Sequence, residues 1–95
     1  MATTLNCILT WTANTEPDLA GYKIYRSLAT GPLALLTSVG LVTTYTDATV
    51  PNVDETVGYA LTAVDTAGNE SPKSVIVTKV FNVVPPQAPV GLTLQ

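Results

Sequence analysis

The chain has no histidine and a single cysteine, Cys7, among its 95 residues. The first absence excludes histidine-based triads and histidine metal sites. The second excludes an internal disulfide and leaves the redox compartment unread. Basic residues are scarce too: Lys23, Arg26, Lys73 and Lys79 are scattered, and a net charge of −3 leaves nothing to neutralise a phosphate backbone. Nucleic acid is therefore not an expected partner. Charged residues make up 12% of the chain against 46% hydrophobic ones, which is too apolar for a disordered segment. Pro and Gly interrupt every apolar run before it could cross a bilayer, so no membrane insertion is expected. Nor does a basic region or an apolar stretch of secretory-signal length follow Met1.

Thr and Val dominate what is present, with 16 and 12 copies. β-branched side chains pack well on a pleated surface and lose rotamer freedom in helices, so an all-β fold is expected, in one domain at this length. Period-2 patterns separated by Gly, Pro, Asn and Asp predict strands over residues 5–12, 22–26, 33–39, 43–47, 57–65 and 74–80. In the first, Leu5, Cys7, Leu9 and Trp11 share the inward face and Ile8 is the one large apolar residue turned outward. Tyr22 and Ile24 face in, with Lys23, Tyr25 and Arg26 outward or at the edge. Tyr45 faces in. In the fifth strand Val57, Tyr59, Leu61 and Ala63 share one face, with Gly58, Ala60 and Thr62 on the other. Ala63 leaves room for a larger neighbour such as Trp11. For residues 74–80 the inward set is either Val75 and Val77 or Ile76, Thr78 and Val80. The expected core is Leu9, Trp11, Tyr22, Ile24, Tyr45, Tyr59 and Leu61.

Little in the chain points to chemistry. A buried Cys7 with no histidine beside it is inert. The acidic residues Glu16, Asp18, Asp47, Asp54, Glu55, Asp65 and Glu70 are expected at turns, accepting local backbone N–H bonds. Residues 65–70 lack the alternating acidic ligands of a calcium loop, and Gly68 with Asp65 or Asn69 reads as a reversal. No glycine-rich phosphate loop precedes a helix. No catalytic residue, metal site, cofactor or small-molecule substrate is expected.

The order and spacing of four segments resemble a bacterial-type fibronectin type III domain: Leu9-Thr10-Trp11, Glu16-Pro17-Asp18-Leu19-Ala20-Gly21-Tyr22-Lys23-Ile24-Tyr25-Arg26, Thr44-Tyr45-Thr46-Asp47, and Thr62-Ala63-Val64-Asp65-Thr66-Ala67-Gly68-Asn69-Glu70-Ser71. The resemblance spans roughly residues 5–78. It implies an immunoglobulin-like sandwich of two sheets, with strands A, B and E in one and four strands in the other, and no catalytic centre. Two departures stand out. The family's corner tyrosine at the start of strand F falls here on Val57, so the loop over 50–56 is expected to be looser. Strand A is absent ahead of Leu5, while residues 85–95 resemble that strand at the wrong end of the chain.

The expected organisation is a sandwich core over 1–80, a linker over 81–86 and a strand-A-like tail over 87–95. The linker reaches at most about 20 Å, less than the length of a seven- or eight-residue strand at roughly 3.3 Å per residue, so self-completion is strained. Donation to a sister copy or a neighbouring domain is the expectation, with Val90, Leu92 and Leu94 as donor residues and Leu5, Cys7 and Leu9 as acceptors. Such a contact is heterologous and closes a ring or grows a filament. The tail reversing at Pro85 and Pro86 to pair along the chain's own last strand remains a further option. The expected role is a structural assembly module working by strand exchange, extracellular or on a virion surface. The alternatives are a passive spacer or a carbohydrate-binding accessory repeat of a larger secreted protein.

Overall fold

The computed structural model describes residues 4–86 and 88–94. The β-branched segments form six strands: β1 Thr4–Thr10, β2 Leu19–Leu28, β3 Ala34–Val39, β4 Thr44–Pro51, β5 Glu55–Asp65 and β6 Val77–Phe81. All pairings are antiparallel, in a two-stranded sheet β1-β4 and a four-stranded sheet β3-β2-β5-β6. The expected all-β, two-sheet sandwich is the observed architecture. One core joins the sheets: Cys7 and Leu9 of β1, Val50 of β4, Ile24 of β2, Val57 and Tyr59 of β5, and Phe81 of β6.

Of the residues expected in the core, Leu9, Tyr22, Ile24 and Tyr59 are buried. Tyr45, Leu61 and Trp11 pack against the cluster and keep partial exposure. Trp11 lies beyond the end of β1, edge-to-face with Tyr22 at 5.4 Å between ring centroids. The centre belongs instead to Ile24, Val50 and Val57, each 0% exposed. Val50 escaped the alternation because β4 carries a bulge: the pairing steps from Leu5↔Val50 to Cys7↔Asp47, one residue more on β4 than on β1. The bulge lets Asp47 and Val50, three positions apart, both face inward.

Three other expectations change. Asp47 is a buried strand residue, not a turn residue. Arg26 continues the inward series of Tyr22 and Ile24 to meet it. Ala60 and Thr62, assigned to an outer face, are buried as well, because Tyr25 and Glu70 close over that side: the Thr62 hydroxyl donates to Glu70 at 2.7 Å, and the Tyr25 hydroxyl donates to the same carboxylate. The last strand starts at Val77 instead of residue 74. Before it, the Ser71 and Ser74 hydroxyls accept the main-chain N–H groups of Ala63 (2.9 Å) and Leu61 (3.0 Å), doing for β5 what strand carbonyls would do.

The reversal after β5 follows the sequence reading. Gly68 has φ 87°, and Asp65 Oδ1 accepts N–H bonds from Ala67 (3.0 Å) and Asn69 (2.8 Å). Near the start of β5, Val57 has no hydroxyl to give. Tyr59, two residues on, sends its own across to Asp47 at 2.6 Å.

Candidate functional site

Among the described residues β1 pairs only with β4, which leaves its other edge without a strand neighbour. Beyond that edge lies a cleft of about 440 Å³, walled by Cys7 and Leu9 of β1, Tyr59 and Leu61 of β5, and Val77 and Lys79 of β6. The register explains its second wall. Val77 pairs with Tyr59 and Lys79 with Val57, so both share the core-facing side of the four-stranded sheet. This settles the face of β6 that the sequence left open: Val77, Lys79 and Phe81 point to the core side, and Thr78 and Val80 point away. With no strand opposite, Val77 stays 66% exposed, whereas Phe81 at the strand's end is buried.

Of the expected acceptor residues, Cys7 and Leu9 line this cleft, and Leu5 does not. Cys7 and Leu9 are buried, and Leu5 is half-buried against the core. The expected donor residues are elsewhere. Val90, Leu92 and Leu94 are 95, 88 and 94% exposed, so the body packs without them. The molecule measures 75 × 22 × 21 Å, far longer than the roughly 36 Å of an 11-residue strand such as β5. The excess is the tail, standing off the sandwich. Gln87, the first residue of the expected tail, lies outside the described residues.

The root of the tail is held. Asp54 Oδ1, in the turn between β4 and β5, accepts the main-chain N–H of Val83 at 2.6 Å and of Val84 at 3.0 Å. Pro85 and Pro86 follow with their φ fixed by the ring. Asp54 was expected at a turn. Its reach across 29 residues to Val83 was not visible in local patterns.

The strongest electrostatic feature is the buried Asp47. Its carboxylate accepts from Arg26 Nη1 (2.9 Å), the Tyr59 hydroxyl (2.6 Å), and the main-chain N–H (3.0 Å) and hydroxyl (2.6 Å) of Thr49. Burial pushes the Asp47 carboxyl up, but the bonds from Thr49, Tyr59 and Arg26 outweigh it and hold the group below its ordinary value. Burial, followed by the adjacent carboxylate, raises the Tyr59 hydroxyl above its ordinary value. With its oxygens saturated and 0% exposed, Asp47 offers no lone pair to a substrate and instead ties β4 to β2 and β5. On the outer face, hydrogen bonds from Tyr25 and Thr62 bring Glu70 down to about 2.

Tyr25, the expected outward aromatic, lies under Lys73 Nζ at 4.5 Å from its ring centroid. No group of three metal-ligating side chains forms among the described residues. No protein-family model, curated protein or solved structure matches the chain.

Proposed function

We propose that this chain is a non-catalytic structural module of the fibronectin type III kind, which self-associates by exchanging its C-terminal strand into a fibre or a virion or cell-surface assembly. One observation carries the reading. An open β1 edge over an apolar cleft and an undocked tail with apolar residues at every second position occur in the same molecule. Each is the complement of the other, since a strand laid along β1 supplies main-chain hydrogen bonds and fills the cleft with alternate side chains.

Burying Val90, Leu92 and Leu94 contributes about 5–9 kcal/mol at roughly 1.5–3 kcal/mol per side chain. Association costs about 4–15 kcal/mol in lost freedom, so side-chain burial alone roughly breaks even and the main-chain bonds along β1 decide the outcome. Assembly is then reversible and concentration-dependent. Tyr25 beneath Lys73 and Trp11 packed edge-on to Tyr22 do not form the coplanar exposed pair that a sugar-stacking platform uses.

Deletion of residues 85–95 tests the reading. Light scattering over a concentration series is expected to show growing oligomers for the full chain and a monomer for the truncated one. Monomers in both cases would leave the passive-spacer reading in its place.

A further inference from the structure

We propose that the cleft beside β1 receives the tail of a second copy of this chain, antiparallel to β1, with Leu92 opposite Cys7, Val90 opposite Leu9 and Leu94 opposite Leu5. This pairing rests on the exchange reading above and adds its direction, its register and the reason a chain does not serve itself.

Direction follows from which strand ends lie together. Thr4 at the start of β1 pairs with Pro51, and Glu55, just past the turn, pairs with Phe81 at the end of β6. The tail therefore leaves the sandwich at the end where β1 begins. Folded back over its own body, it would run parallel to β1. To enter antiparallel it would first have to travel the length of β1, about 23 Å for its seven residues at roughly 3.3 Å each. Asp54 holds the Val83 and Val84 N–H groups at the end where β1 begins. With Val90 opposite Leu9, residues 85–89 are what remains between that clamp and the paired segment, and they span at most about 18 Å even when fully extended. A second copy whose Phe81 end meets the far end of β1 delivers its tail in the antiparallel sense without that journey.

Register follows from the two alternations. Leu5, Cys7 and Leu9 are the inward positions of β1. Val90, Leu92 and Leu94 repeat at the same interval. A slip of one residue turns all three donor side chains to solvent, and a slip of two leaves one of them beyond the inward set. In this alignment the small Cys7 lies against Leu92 at the centre of the three pairs. Residues 82–95 carry no charge, and Lys79 is the one charged residue on the cleft wall. Gly91 sits at φ 81° in the free arm. Lacking a Cβ, it moves to the extended conformation of a docked strand more freely than any other residue would. Because donor and acceptor surfaces differ, the contact repeats head to tail.

The native thiol at the centre of the acceptor makes the register measurable. The full chain carrying Leu92→Cys, oxidised with diamide and run on a non-reducing gel, is expected to give a ladder extending beyond the dimer and collapsing on reduction. In a Cys7→Ala background the same variant stops at the dimer, since each chain then has one thiol. For direction, in the Cys7→Ala background the pair Leu5→Cys with Leu94→Cys is expected to yield the ladder, and Leu5→Cys with Val90→Cys is not. The opposite pattern means a parallel strand and overturns the proposal. A monomeric disulfide between Cys7 and position 92 means self-insertion and overturns it as well. Absence of any ladder in chains that light scattering shows to be oligomeric refutes this register alone, whereas absence in chains that are monomeric refutes the exchange reading itself.

Discussion

Asp47 and Arg26 show how a rule about residue type can mislead. Tyr22 and Ile24 facing inward already place position 26 inward, and Tyr45 facing inward places position 47 there, so two opposite charges were aimed at one another by alternation alone. The general tendency of carboxylates towards turns and of Arg towards edges argued the other way. A buried pair overrides it, because each charge compensates the desolvation of the other. Replacing Asp47 with Ala strands Arg26 and the Tyr59 hydroxyl, and urea titration is expected to show a loss of about 3–5 kcal/mol. A loss under about 1 kcal/mol, the worth of an exposed pair, would contradict the buried tie described for it. The pH dependence has a definite sign. With its folded value below the ordinary 3.8, the Asp47 contribution is fully present above 3.8 and is lost as the pH falls below it. Acid titration of the wild-type chain should therefore show a stability drop in that range that Asp47→Ala lacks.

At the scale of elements, all six strands were legible as period-2 runs, and their ends were not. β2 and β4 extend beyond the expected 22–26 and 43–47 to Leu19–Leu28 and Thr44–Pro51. β2 is prolonged by pairing along the 11-residue β5, and β4 by pairing along the whole of β1, from Thr4↔Pro51 to Thr10↔Thr44. The late start of β6 has the reverse cause: Ser71 and Ser74 satisfy β5 through their hydroxyls, and such long-range side-chain bonds leave no periodic trace. Gly21 shows how tightly β2 and β3 approach. A Cβ placed there would lie 2.3 Å from the Val39 carbonyl oxygen, so either strand must shift to accept it. Gly21→Ala is expected to destabilise by about 1–3 kcal/mol, the usual penalty of overpacking. In a domain of this size that lowers the melting temperature by roughly 4–8 °C per kcal/mol. An unchanged melting temperature would show that β3 yields at no cost.

For the whole molecule, Thr and Val content and the spacing of turns were enough to indicate an all-β fold, while the arrangement in two sheets was implied by the family resemblance and not by composition. The inward face of β1 was legible too, because Leu5, Cys7 and Leu9 follow a simple alternation. Its far wall was not: which face of β6 turned inward depended on a pairing with β5 that the ambiguous run Val75-Ile76-Val77 concealed. The clamp by Asp54 was hidden for the same reason, as a contact between distant residues. The β6 face shapes the cleft, and the Asp54 clamp holds the root of the tail. The most direct measurement is binding in trans: a fluorescently labelled peptide of residues 85–95 titrated with the chain truncated after residue 84. Saturable one-to-one binding is expected, and it is lost when Val90, Leu92 and Leu94 of the peptide are changed to Ser. No saturable binding, or binding indifferent to those three residues, would contradict strand exchange.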